Sequence, residues 1–307
     1  MKAMIKTCEL TKSFGTIVAV DHVEIEVDQN EIFGVVGPDG AGKTTLLRMI
    51  CGLIEPNRGK VVLFGEESPG DSNRSRLGYM PQRFSLYGDL TVMENINFFG
   101  SLYGLKKTTI RQRAEEILRV TNMQEFSSRL AANLSGGMKQ KLALTCALIT
   151  RPEILILDEP TYGVDPESRK EFWKILYRLN KEGVTLMVST PYMDEAELCH
   201  RVAIISQGRV VAVGTPMQLK RGLSHRLLEV RADTRDPRVF EALSELDSCS
   251  FYGDRFHIAA RDLEAATREI NDFLAERRIR LYGIREVAPS MEDVFIALTA
   301  ADNEVGA

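Results

Sequence analysis

Between Gly37 and Thr45 the sequence reads GPDGAGKTT, which satisfies the pattern G-x-x-x-x-G-K-[ST] in full. Each residue type in it has a physical reason. The glycines let successive backbone N–H groups turn into one concavity, and a helix opening at that point adds partial positive charge. Lys43 has the reach for the outer phosphates of a nucleotide, and the Thr44 hydroxyl suits Mg²⁺. Gly37, Pro38, Asp39, Gly40, Ala41, Gly42, Lys43, Thr44 and Thr45 therefore form a candidate phosphate cradle, and the chemistry it predicts is that of a nucleoside triphosphate. ILILDEP, further on, adds carboxylates. Asp158, at the end of an apolar run, can face a metal shell, and Glu159 beside it can orient or deprotonate a water. LSGGMKQKLAL, from Leu134 to Leu144, opens on Ser135, Gly136 and Gly137. That triplet is either a second anion site or a simple helix cap.

The elements that must carry these groups are visible as periodicities. EIFGVVG (31–37) is a buried strand, and TTLLRMICGL (44–53) is the helix that follows it. EILILDEP (153–160) and VTLMVST (184–190) are further continuous apolar strands, the pattern of a parallel sheet covered on both faces. The stretch from about 83 to 150 is mostly helical. Beyond Lys220 every Lys or Arg is arginine, and short strands at 226–231, 249–252, 255–259 and 281–287 alternate with helices, the last at PSMEDVFIALT. The expected fold class is α/β. A P-loop NTPase core covers 1–220, with a helical subdomain at about 83–150, and a small C-terminal α+β domain covers 221–307.

The 307 residues, 44% hydrophobic and 27% charged, fit an ordinary globular chain of about two domains. A formal charge of -4 gives no electrostatic ground for nucleic acid or for a polybasic membrane contact. No apolar run approaches the roughly 18 residues of a membrane span. The opening MKAMIKTCELTKSF is too charged for a signal peptide. The five cysteines are dispersed, without a CxxC pair, which suggests reduced thiols used in packing. The four histidines are dispersed too and suggest no metal cluster.

Taken with its position ahead of ILILDEP, LSGGM resembles the signature of ABC transporter ATP-binding subunits. Phe14 in LTKSFG, Gln82 in GYMPQ, Asp165 in GVDP, the YMDEAE helix and the closing APSMEDVFIALT agree. The resemblance covers essentially the whole chain, and its tail is similar to the daunorubicin-resistance-type exporter ATPases. It implies that Phe14 stacks on adenine and that Gln82 touches Mg²⁺ and senses a transmembrane partner. It implies that Asp158 holds Mg²⁺ through water and that Glu159 is the catalytic base. Ser135, Gly136 and Gly137 would close over the γ-phosphate on a second subunit, with Asp165 at the shared interface. The plain structural alternatives are a core aromatic for Phe14, a surface amide for Gln82 and a turn residue for Asp165. Function by resemblance is the ATP-hydrolysing subunit of an exporter, peripheral at the cytoplasmic face and paired with a membrane permease. A second ATP-binding subunit, identical or different, would complete the ATP sites, and no nucleic acid is involved.

One position departs from the family pattern. Where its members usually place a histidine that contacts the γ-phosphate, this chain has Pro191, in VSTPYMDEAE. Thr190 as N-cap and Pro191 as first helical residue would start a helix well. A donor lost at developing charge, however, costs on the order of 10²–10³ in rate. Pro191 favours one alternative, a catalytically degenerate half of a heterodimeric ATPase; a separate alternative, independent of Pro191, is a soluble ATPase of the same superfamily with no transport role.

Overall fold

The computed structural model describes residues 3–67, 76–83, 85–223, 226–240, 243, 246 and 248–305, so His225 lies outside the described residues. The chain divides into two compact units, Met1–Pro216 and Met217–Ala307.

The first unit is built on a parallel sheet. Strands β4 (Ile32–Val36), β7 (Leu77–Met80), β8 (Ile154–Asp158), β9 (Thr185–Thr190), β10 (Arg201–Ser206) and β11 (Arg209–Gly214) lie in the order β11-β10-β4-β9-β8-β7. Only the β10–β11 pair is antiparallel. β4 and β8 are buried at every residue, as a sheet covered on both faces requires. The helix after the phosphate loop, α1 (Lys43–Ile50), is shorter than its apolar pattern and ends where Gly52 takes φ +67°. Its Leu46, Leu47 and Ile50 share one core with Phe33, Val35, Ile156 and Met187.

A second sheet was not signalled by the sequence pattern. β1 (Ala3–Phe14), β2 (Ile17–Val23), β3 (Glu26–Asp28), β5 (Arg58–Leu63) and β6 (Glu66–Glu67) pair antiparallel, in the order β2-β1-β5-β6 with β3 on β1. Bulges interrupt β1 against each long partner, so its alternation of apolar and polar residues is broken.

The helical stretch consists of α2 (Val92–Leu102), α3 (Lys107–Val120) and α4 (Gly136–Leu148). Thr91 and Glu94 close a capping box at the start of α2. The three helices bury Ile96, Ile110, Ala114, Leu118, Leu142 and Cys146 against one another. Helices α5 (Pro166–Lys181) and α6 (Met193–Ala196) follow β8 and β9 respectively. Among the described residues no helix is long and apolar enough to cross a membrane.

The second unit is a four-stranded antiparallel sheet of β12 (Arg226–Ala232), β13 (Ser248–Phe251), β14 (Phe256–Ala260) and β15 (Leu281–Val287), ordered β13-β14-β12-β15. Leu228, Val230, Phe256 and Ile258 form its core with Ala266, Ile270 and Leu274 of α7 (Leu263–Glu276). Glu229, buried on β12, takes Arg255 at 3.3 Å and Arg285 at 3.0 Å. The planar, always-charged guanidinium suits such a site better than lysine does.

The closing helix, α8 (Met291–Val305), opens on a reciprocal cap. Asp293 accepts from the backbone N–H of Ser290 at 2.8 Å, and the Ser290 hydroxyl accepts from the backbone N–H of Asp293 at 3.2 Å. The other Asp293 oxygen meets His257 Nδ1 at 2.9 Å. Burial alone would raise the Asp293 carboxyl; the Ser290 donors and His257 outweigh it and hold the group below 3.8. Because the folded value is the lower one, this stabilisation is present above the unfolded value and is lost as pH falls through the folded value. Asp293→Asn should therefore flatten the acid side of the stability curve as pH falls below the ordinary carboxylate range of about 4. Denaturant midpoints of wild type and variant measured across that range decide it; parallel curves would contradict the assignment.

Candidate phosphate site

The phosphate loop leaves β4 at Val36 and enters α1 at Lys43. Gly42 holds φ +99°, and a Cβ there would fall 2.1 Å from the carbonyl oxygen of Ala19. Only glycine can make that turn at that distance. Gly42 caps α1 without any side-chain acceptor, so no side chain caps the first N–H groups of the helix. The Lys43 ammonium, 3% exposed, donates to the carbonyls of Gly37 and Pro38 at 2.9 Å each and pairs with Glu159 at 3.1 Å.

The acidic half of the site arrives on β8. Asp158 is fully buried, and its Oδ1 accepts from the Thr44 hydroxyl at 3.1 Å and the Ser189 hydroxyl at 2.6 Å. Its Oδ2 is buried without a hydrogen-bond partner. A buried carboxylate oxygen with no donor is costly by itself and is the natural contact for a cation. Glu159 stands at φ +47°, a conformation a glutamate adopts only when its surroundings hold it. Its N–H points to both the hydroxyl and the carbonyl of Ser189, at 3.0 and 3.1 Å. Its side chain accepts from the Gln82 amide at 2.8 Å.

Lys43, Thr44, Gln82 and Glu159 border a cavity of about 320 Å³ that Ala19, Asp39, Gly40, Gly42 and Thr45 also line; Asp158 lies behind Thr44, outside its wall. Gly37, Pro38 and Ala41 form the turn beneath it; Ala41 donates to Pro38 at 3.2 Å and Gly37 to the Thr190 carbonyl at 3.4 Å. The walls thus offer the glycine-rich turn, the helix start and the Lys43 cation to an anion, and the Asp158 carboxylate stands one hydroxyl away, behind Thr44.

Other candidates lie outside those walls. Phe14, at the β1–β2 hairpin, is 52% exposed, which rules out the core-aromatic alternative. Ser135 caps α4, accepting from the Met138 N–H at 3.3 Å, so its cap role is real. Gly137 abuts α5: a Cβ on it would sit 2.8 Å from the side chain of Ser168. Ser168 in turn donates from its N–H to Asp165, the N-cap of α5, at 2.9 Å. Ser135, Gly136, Gly137 and Asp165 are therefore gathered with one another and do not line the phosphate cavity. Gln82 lines both that cavity and a second one, about 430 Å³, whose wall includes Gly136.

A family model described as "ABC transporter" matches residues 20–162, and one described as "ATP-binding protein DrrA1-3-like, C-terminal domain" matches 214–299. The "Nod factor export ATP-binding protein I" of Cupriavidus metallidurans is 34% identical over 308 residues, covering 98% of this chain and 99% of that one. This chain belongs to the ABC transporter ATP-binding subunits. The subunit is also 44% identical over 221 residues to the "Probable multidrug ABC transporter ATP-binding protein YbhF" of Escherichia coli. That match takes in 71% of this subunit but only 38% of the relative's length. Among solved structures, the "Dimeric Structure of MJ0796, a Bacterial ABC Transporter Cassette" aligns with a TM-score of 0.63 at 28% identity, over 69% of this subunit and 98% of that chain.

The switch segment corrects the sequence expectation. Thr190 does not cap a helix that begins at Pro191. Its hydroxyl accepts from the Tyr192 N–H at 3.1 Å and donates to Glu195 at 2.6 Å, which closes a short turn. Pro191 sits in that bend, Tyr192 is extended, and α6 starts only at Met193. Sequence reasoning also missed Ser189, whose importance depends on a strand register that brings it beside Asp158. Ser189→Ala should lower unfolding free energy by about 1–3 kcal/mol, the scale of a buried hydrogen bond removed with one partner left behind. A loss under about 0.5 kcal/mol in chemical denaturation would show that the hydroxyl is not the brace described.

Proposed function

We propose that this subunit binds and hydrolyses ATP to energise export through a separate membrane permease at the cytoplasmic face. The observation that carries the reading is Asp158, fixed through one oxygen by Thr44 and Ser189 while the other is buried without a donor, next to the Lys43–Glu159 pair. Thr44, Asp158 and Gln82 would hold Mg²⁺, which neutralises charge on the terminal phosphates when bound. Backbone N–H groups of the loop bind the phosphates, and Lys43 supplies the side-chain cation to them. Glu159 accepts the proton of the attacking water as the bond between the γ-phosphorus and the ADP oxygen breaks. Phe14, exposed at its hairpin, stacks on the adenine.

Ser135, Gly136 and Gly137, with Asp165, serve the ATP held by a second subunit. Their separation from this subunit's own phosphate cavity supports that assignment, as does the dimer named in the related structure's description. Residues 1–220 form the ATP-binding domain with its helical subdomain at about 83–150, and 221–307 an accessory domain dispensable for nucleotide binding. The relative named for Nod factor export supports export as the direction.

Pro191 favours a second form of the reading, in which this subunit is the slow half of a heterodimer. The proline offers no side-chain donor in place of the usual imidazole, and the Thr190 hydroxyl beside it is donated to Glu195. Two variants test the proposal. Glu159→Gln should bind MgATP like wild type and stop turnover, while Pro191→His should raise turnover by up to roughly 10²-fold. Normal hydrolysis by Glu159→Gln would remove Glu159 as base. Rapid turnover by the unmodified homodimer, with no gain from Pro191→His, would remove the slow-site form.

A further inference from the structure

The carboxylate of Glu195, 1% exposed, is shared by three segments that the proposed reaction uses separately. Its Oε1 accepts from the Thr161 hydroxyl at 2.7 Å and from Arg169 Nε at 3.1 Å, and its Oε2 accepts from the Thr190 hydroxyl at 2.6 Å. Thr161 lies just beyond Glu159, on the way to Asp165. Arg169 sits in the first turns of α5, and its N–H donates to the Asp165 carbonyl at 2.9 Å. Thr190 immediately precedes Pro191. Arg169 also reaches Asp194 at 3.1 Å and stacks over the Tyr192 ring at 4.2 Å, so the turn around Pro191 is held from two directions.

We infer that Glu195 is a positioning residue: its carboxylate locks the Glu159–Asp165 segment and the Pro191 turn into one rigid unit, so that the hydrolysing end of the site and the intersubunit end move together. The inference rests on the ATPase reading for its functional meaning and on the hydrogen bonds alone for its mechanics. A buried charge must be paired to persist, and here Thr161 and Thr190 bring one hydroxyl from each of the two segments while Arg169 of α5 supplies the opposite charge. An ion pair of this kind is replaceable by apolar packing at little cost when only stability is at stake. Two threonine hydroxyls and a guanidinium converging on one carboxylate give something apolar packing does not: a fixed distance between the segments. With no imidazole at 191, that fixed distance is what this site has to hold the turn against the phosphates.

The experiment compares wild type, Glu195→Gln and Thr190→Val as full chains. Amide hydrogen exchange in 160–165 and in 189–193 should accelerate together by about tenfold in Glu195→Gln, while α1 keeps its protection. Thr190→Val should loosen 189–193 and leave 160–165 unchanged, and it keeps the idea testable if Glu195→Gln fails to fold. The dissociation constant for MgATP should stay within about twofold as kcat drops by about tenfold or more, the pattern of a group that acts only on the reacting geometry. Unchanged exchange in both segments, acceleration spread across the whole unit, or unchanged kcat despite looser segments would each overturn the inference. A wild-type chain that does not bind MgATP would sink the ATPase reading instead, and the exchange pattern would still decide whether Glu195 holds the two segments.

Discussion

Three charges buried within one small volume set the terms for the rest of the first unit. Lys43, Asp158 and Glu159 are at most 4% exposed, and together they carry one more negative than positive charge. An arrangement like this survives only if each group finds a partner, because isolated buried charges cost several kcal/mol or more. Lys43 finds two loop carbonyls and Glu159; Glu159 also finds Gln82; Asp158 finds two hydroxyls and keeps one oxygen without a donor. A divalent cation bound there would compensate the surplus charge and the unpartnered oxygen at once. Ser189, the positive-φ glycines of the loop and the strained backbone of Glu159 all serve to hold this cluster in register.

The sheet order makes the cluster possible. β4 delivers the phosphate loop, β8 the carboxylates, and β9, lying between them, Ser189 and Thr190. In parallel strands all three C-terminal ends emerge at the same edge, which is where ligands bind in α/β sheets. The sequence indicates the individual strands through their apolar runs but not their neighbours, and neighbours are what turn three separate motifs into one site. For the same reason Lys43, Thr44, Asp158 and Glu159 were legible from spacing, whereas Ser189 was not: a serine at the end of a Val-Ser-Thr strand has no local signature, and only the pairing of Asp158 with Ser189 gives it meaning.

Two other expectations show how local preferences yield to partners far along the chain. Thr190 followed by proline is a sound helix start by propensity. A buried glutamate five residues on takes the threonine hydroxyl, and the helix begins at Met193 instead. The antiparallel sheet of the first unit was invisible because β1 meets β2 and β5 through register shifts that destroy its period. By contrast, the strands of the second unit followed their alternation to within a residue or two: β14 meets β12 and β13 in unbroken register, and β12 meets β15 with a single shift at its end. The exposed ring of Phe14 and the gathering of Ser135, Gly137 and Asp165 beside α5 were decided by burial and packing, which no motif states.

The central claim is that the unpartnered oxygen of Asp158 marks a cation site that a triphosphate shares. Its direct measurement is the Mg²⁺ dependence of ATP affinity, by titration calorimetry, for wild type and Asp158→Asn. The account predicts that Mg²⁺ tightens ATP binding by wild type and that Asp158→Asn removes most of that gain while ATP alone binds both proteins similarly. Equal Mg²⁺ enhancement in the two proteins would contradict it.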